Sequence, residues 1–375
     1  MKKLLTIGHS YVIAQNRCLA HEIARQGAGR WDVTIAAPRW VAGEVHPAAL
    51  VVAPDEPCGV VPLPMRIGRH PHLRFFSGLR QLLRRDWDLV HIWQEPYVLA
   101  AAQVALASPK AARVVPVTFQ NIAKRYPAPV RYVERRVMER ADGWIAFGQT
   151  AHDTQRPKAA YTKRPVRVIP PGVDTSFFRP DAAARESVRR HLNWSSSDRV
   201  VGFLGRFVPE KGIDLLVRAL SRQSGPWCAL FVGVGPLEAT VRRLEERFPE
   251  RVRVLTNVRH DGVPTYLNAM DILCAPSQST AHWREQFGRM LIEAMACGVP
   301  VIATRSGEIP YVVGSTGILV DEHDEQGLSE AIARLLDDDE LRQSLAGRAL
   351  IRVREQFAWS VVARAHLDFF DQLMA

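Results

Sequence analysis

Short apolar runs rich in β-branched residues alternate along the chain with longer stretches whose apolar positions recur at helical spacing. In the first half this pattern predicts strands near 4–8, 32–37, 88–93, 113–119, 143–147 and 166–170, with helices near 15–26, 72–85 and 130–140. The series breaks at Pro170-Pro171-Gly172-Val173-Asp174, extending to Arg179-Pro180, where two prolines and a glycine prevent helix continuation. It then restarts, with strands expected near 199–205, 228–233, 251–258, 271–275, 300–304 and 317–320. A final amphipathic stretch, 357–374, has no strand after it. Such alternation is the signature of parallel βαβ units, so the expected fold class is α/β: two doubly wound parallel-sheet domains, Rossmann-like, facing across a cleft. The expected boundaries are 1–175 and 176–357, with the helix over 358–375 packed back on the first domain. Open α/β sheets bind ligands beyond the carboxyl ends of their strands, which places chemistry in that cleft.

Composition narrows the class. The 375 residues are 47% hydrophobic and 23% charged, as in an ordinary globular protein, and too many for one compact core. No run of roughly 18 apolar residues occurs, so no membrane-spanning helix is expected. Lys2 and Lys3 precede an apolar run that breaks at Gly8-His9-Ser10, too short for a signal peptide and better read as a first strand. The five cysteines are scattered without a CxxC pair, which fits reduced thiols in the cytoplasm and no metal site.

Charge changes the picture more. The net charge is +10, but residues 1–180 hold 26 Lys+Arg against 13 Asp+Glu, leaving the remainder at −3. A basic first half attracts an anionic partner, and Arg66, Arg69, Arg74, Arg80, Arg84 and Arg85 lie close together in sequence. An anionic inner membrane face is the expected partner, with a solvated basic surface as the plain alternative. No nucleic-acid-binding motif accompanies the charge, so nucleic acid is not expected.

Three segments carry candidate chemistry. In the first, a strand ends at Gly205, Arg206 follows at once, and Lys211-Gly212 sits just before a helix. Free amides at a helix start favour an anion, and the two cations make this a diphosphate site, although solvated charges on an ordinary loop would look the same. The spacing is not that of a P-loop, so an ATPase is not implied. The second segment, Gly233-Val234-Gly235-Pro236, permits close approach of a ligand to backbone, and a tight turn explains it equally well. The third runs from Glu285-Gln286-Phe287-Gly288-Arg289 into an apolar helix that contains Glu293 and stops at Gly298-Val299-Pro300. A carboxylate inside such a helix is costly unless hydrogen-bonded, by ribose hydroxyls on one reading or by a neighbouring arginine on the other.

These residues resemble glycosyltransferase family 4, the retaining enzymes of GT-B fold. Its hallmark pair of glutamates is matched by Glu285 and Glu293, and the likeness extends to Gly205-Arg206-Phe207, Glu210-Lys211-Gly212, Pro170–Asp174 and Ala275-Pro276-Ser277. It covers the second domain strongly and the first in outline. The resemblance implies transfer of a hexose from a UDP-, GDP- or ADP-sugar to a glycan, lipid-linked or small-molecule acceptor in envelope or exopolysaccharide synthesis, without a metal or other cofactor. Arg206 and Lys211 would hold the diphosphate, and Glu285 would contact the transferred sugar. The backbone of Phe287, Gly288 and Arg289 would meet sugar and phosphate, Gly205 and Gly235 would line the donor pocket, and Glu293 would bind ribose. On the first domain, Gly8 and His9 would form the loop beside the phosphates and acceptor. Donor base, donor sugar, acceptor, linkage and oligomeric state are not legible.

One departure matters. Many relatives carry a histidine after the strand that ends here at Val117-Thr118-Phe119; in this chain Gln120 or Asn121 takes that place. His91 is a candidate substitute in the cleft, or simply a satisfied strand histidine. The competing classes are a nucleotide-sugar-binding subunit without catalysis and a GT-B epimerase; the first should have lost phosphate cations or glutamates, and the second should lack the glutamate spacing.

Overall fold

A computed structural model describes residues 1–41, 48–66 and 73–375. The chain forms two compact units, Met1–Gly172 with Trp359–Ala375, and Val173–Ala358. Arg69 and the predicted start of a helix at His72 lie outside the described residues.

The first unit is built on a seven-stranded sheet in which every pairing is parallel. Its spatial order is Val166–Val168, Trp144–Ala146, Arg113–Thr118, Leu89–Ile92, Lys2–Ile7, Trp31–Pro38, Gly59–Leu63. A sheet buried on both faces needs apolar strands throughout, and Leu4, Leu5 and Ile7 of the first strand are all at 0% exposure. Helices Cys18–Gln26 and Trp359–Met374 cover one face. Helices Leu79–Leu83, Leu99–Ala107 and Ala128–Arg140 cover the other. The C-terminal helix buries Val362, Ala363, Leu367 and Phe370, residues three and four apart on one stripe, against Ile23 and Trp31. Its Asp371 pairs with Lys2 at 3.1 Å and Arg30 at 3.0 Å.

The second unit carries a six-stranded, all-parallel sheet. Its spatial order is Val252–Leu255, Cys228–Val232, Val200–Leu204, Ile272–Ala275, Val301–Thr304, Ile318–Val320. Asp271 locks its outer helix Ala182–His191 to the sheet, accepting from Arg185 at 2.5 Å, Arg189 at 2.6 Å and the Val200 amide at 2.7 Å.

Candidate active site

In the second sheet the strand order reverses between Val200–Leu204 and Ile272–Ala275, the position where doubly wound sheets bind ligands beyond their carboxyl ends. The loops that leave these two strands carry Arg206 to Lys211 and Pro276 to Ser279. They meet through a Gln278 amide that donates to the Glu210 carbonyl at 2.8 Å. Lys211 Nζ reaches Glu285 Oε2 at 2.5 Å, and the Ser277 hydroxyl donates to the same oxygen at 3.0 Å. The ammonium also lies 5.3 Å from the centroid of the Trp283 ring, a cation–π distance. Glu285 is 6% exposed, so a buried carboxylate, a cation, a hydroxyl and an indole share one corner. Arg206 is exposed and has no ion pair among the described residues.

Glu285 is held from below as well as from the side. Its carbonyl accepts from the Glu308 amide at 3.0 Å, and the Ser277 carbonyl accepts from the Thr304 hydroxyl. After Glu285 the chain buries Phe287, which packs edge-on against Phe357 at 5.7 Å, so this residue offers backbone rather than ring to a ligand. Gly288 then turns at φ +79 to start the helix Arg289–Ala296, whose Arg289 is exposed. Glu293 projects from that helix at 7% exposure and faces His260 at 3.5 Å rather than an arginine. His260 opens the turn His260–Gly262.

Gly235 has a structural reason to be glycine. A Cβ there would lie 2.5 Å from the Phe207 carbonyl oxygen, because the loops after Val200–Leu204 and Cys228–Val232 pack backbone against backbone. Gly205 sits in the same packing, its amide donating to Val232 at 3.0 Å. Close packing of these loops therefore requires glycine at 233 and 235, whatever either residue offers a ligand.

In the first unit the order reverses between Lys2–Ile7 and Leu89–Ile92, and Gly8-His9 and Trp93-Gln94-Glu95 leave those strands side by side. His9 is exposed, whereas Gly8 is buried against Trp93. His91 lies elsewhere. It is at 0% exposure inside the core, its Nδ1 3.0 Å from the Thr6 hydroxyl and its ring against His366 and Phe370. Strand alternation places it on the sheet face covered by the helix Trp359–Met374, and the expectation of a cleft histidine gives way to the core reading. Gln120 and Asn121 are buried at 5% and 4%. Gln120 Nε2 donates to the Tyr126 hydroxyl at 2.5 Å, and its carbonyl accepts from Gln155 at 2.8 Å. Glu95 accepts from the Phe119 amide at 2.7 Å and the Thr118 hydroxyl at 2.9 Å, which fixes the loop that carries Gln120. Burial pushes its carboxyl up to about 7 despite those bonds.

Sequence reading did not single out Trp283, His260, Glu308, Gln94 or Glu95. Ser277 stood in a motif without a role. These groups reach the two carboxyl edges through loops, and the contact of Ser277 or Trp283 with Lys211 and Glu285 has no local pattern. The one available signal was polar residues directly after a predicted strand, which would have drawn attention to Gln94 and Glu95. Gln94 is 2% exposed and its Nε2 has no partner among the described residues.

Solved structures share this architecture. A glycosyltransferase from Rickettsia africae superposes with TM-score 0.78 at 16% identity, over 100% of this chain and 98% of its own. Sucrose-phosphate synthase from Thermosynechococcus elongatus gives 0.72 at 22%, over 100% and 99%. The fold is thus that of a GT-B glycosyltransferase, α/β with two Rossmann-like parallel sheets. Residues 17–177 match the family described as Glycosyltransferase Family 4, and residues 184–350 match Glycosyl transferases group 1. A D-inositol 3-phosphate glycosyltransferase of Corynebacterium jeikeium is 31% identical over 304 residues, 76% of this chain and 69% of its own. A GDP-mannose-dependent alpha-(1-6)-phosphatidylinositol monomannoside mannosyltransferase of Mycobacterium tuberculosis is 29% identical over 364 residues, covering 92% and 90%. The chain belongs to glycosyltransferase family 4 and is a glycosyltransferase.

Proposed function

We propose that the chain is a retaining hexosyltransferase that takes its sugar from a nucleoside-diphosphate donor bound on the second unit. The carrying observation is the cluster of Lys211, Glu285 and Ser277 at the switch point of that sheet. Arg206 and Lys211 neutralise the diphosphate as the glycosidic bond breaks, the cation pair serving where other transferases use a metal. Glu285 accepts from hydroxyls of the transferred sugar and is not a covalent nucleophile. The amides of Phe287, Gly288 and Arg289, at the start of a helix, meet sugar and phosphate, and Gly205 and Gly235 keep the floor of the pocket low. Glu293 accepts from the ribose. The acceptor hydroxyl attacks from the face the leaving group departs, which preserves the anomeric configuration.

The acceptor is read as a phosphorylated or lipid-linked molecule at the cytoplasmic membrane face, next to Gly8, His9, Gln120 and Asn121. Two observations support this. The relatives' names specify inositol phosphate or phosphatidylinositol mannoside, and the first half of this chain has a charge of +13. The same names make a GDP-sugar the first donor to try, ahead of UDP- and ADP-sugars.

A thermal-shift screen against GDP-, UDP- and ADP-sugars, followed by release of free nucleotide, tests the reading. One donor class should stabilise the chain and be slowly hydrolysed. No stabilisation and no nucleotide release with any donor, or near-normal turnover in both Arg206→Ala and Lys211→Ala, would overturn it.

A further inference from the structure

The helices Leu79–Leu83 and Leu99–Ala107 leave between them an open groove of about 640 Å³, within the size range of small-molecule sites. Its floor is apolar and fixed. Leu79 and Leu83 are buried at 1% and 3%, and Gln103 clamps the Phe76 backbone with bonds of 2.8 and 2.6 Å. Its walls are apolar too, yet open to water: Leu99 is 39% exposed and Leu106 52%. Arg80 and Arg84 line the same groove, and Arg85 follows in sequence; all three are exposed.

Arg17, Arg113, Arg140, Arg185, Arg189, Arg199 and Arg218 each meet a carboxylate, whereas Arg80, Arg84 and Arg85 have no ion pair among the described residues. Asp86, the next acid along the chain, is exposed and pairs with none of them among the described residues. Unpaired cations beside an apolar trough are complementary to one kind of ligand, a molecule with an anionic head and an apolar tail.

We propose that this groove seats one acyl chain of an anionic phospholipid of the membrane surface, with the lipid phosphate on Arg80 and Arg84. Arginine suits that phosphate because its planar fork bonds two oxygens at once. Exposed Leu99 and Leu106 then lose water to the tail, which adds an apolar component to charge attraction. The proposal deepens the membrane reading of the first unit and does not depend on which donor or acceptor the enzyme uses.

Co-sedimentation of the full chain with vesicles tests it, using phosphatidylcholine alone and phosphatidylcholine mixed with phosphatidylglycerol, at low and high salt. The parent chain should prefer the anionic vesicles and retain part of that binding at high salt, since apolar contact is not screened. Arg80→Gln with Arg84→Gln should weaken low-salt binding about thirty-fold. Leu99→Asn with Leu106→Asn, both at exposed positions, should keep the low-salt preference and abolish the salt-resistant part. Equal binding of the parent to both vesicles overturns the proposal. So does an asparagine variant that matches the parent at both salts, because adsorption would then be electrostatic and the groove empty. Hydrolysis of donor in the absence of vesicles should be unchanged in every variant, which separates failure of this site from failure of the transferase reading.

Discussion

Lys211 and Glu285 are joined by a 2.5 Å ion pair that ties the two loops of the second sheet's switch point together. Under the proposed function, a diphosphate arriving at Lys211 would compete with Glu285 for the same ammonium, and the hydroxyls of the attached sugar would replace that ammonium at the carboxylate. Nucleotide and sugar would then be coupled through one pair of side chains. Lys211→Ala should lower transfer about a hundred- to a thousandfold, the usual loss for one donor to a developing anion. Glu285→Gln should also lower transfer, yet bind the free nucleoside diphosphate several-fold more tightly than the parent, because the competing charge is gone. Titration calorimetry with the nucleoside diphosphate decides this. Unchanged or weaker binding in Glu285→Gln would show that the pair does not compete with phosphate.

If Glu293 binds ribose as proposed, it should behave differently, because such a contact would be the same in ground state and transition state. Glu293→Gln keeps the size and removes the charge, so KM for the donor should rise roughly ten- to a hundredfold, as for loss of a charged hydrogen bond. Turnover at saturating donor should stay close to the parent's. A large fall in kcat with KM unchanged would instead place Glu293 in the chemistry.

Gly307 determines where Glu285 sits. It adopts φ +53, and a Cβ there would lie 2.0 Å from the Glu285 carbonyl oxygen. Gly307→Ala must therefore push the Glu285 loop away, besides imposing left-handed strain of about 1–2 kcal/mol. Both melting temperature and transfer should fall. Gly225→Ala, which meets nothing within 4 Å, should change stability by less than about 0.5 kcal/mol and leave transfer intact. Equal behaviour of the two variants would remove Gly307 from the argument.

The strands of the second unit were legible because each is a short run, apolar but for Arg253 and Thr304, closed by glycine, proline or a polar loop. The first unit was less so. Gly59–Leu63 contains Pro62 and reads as loop, but it is the edge strand of its sheet, where a missing donor is tolerated. Leu99–Ala107 is apolar on every side but for Gln103, so it has no amphipathic period to announce a helix. Among the described residues, the α-helical part of the predicted helix over 72–85 is Leu79–Leu83, because Phe75–Phe76 pairs with Met65–Arg66 and Gly78 turns at φ +77. In the site, the motifs named Lys211, Glu285 and Glu293, but not that the first two pair or that His260 faces the third. Such contacts join residues 74 positions apart, or a loop to a helix, and no local periodicity encodes them.

His366 gives the first unit a pH dependence of definite sign. It is 1% exposed in the C-terminal helix, packs against His91 and Phe370, and bonds the Val362 carbonyl through Nδ1 at 2.8 Å. Burial pulls its pKa from 6.5 down to about 4, and burial likewise holds His91 well below its ordinary value, with the His366 charge adding to that effect. Between those two pH values the unfolded chain takes up a proton that the folded chain refuses. Stability is therefore fully present above about 6.5 and falls as pH drops toward 4, by about 3 kcal/mol for His366. Glu95 acts in the opposite direction, since its raised pKa of about 7 adds stability as pH falls from 7 toward 4.5. His366→Leu isolates the histidine term: its denaturation midpoint should fall less steeply than the parent's between pH 6.5 and 4, and the two should run parallel above pH 7. Parallel curves across the whole range would mean that the folded chain accommodates the imidazolium.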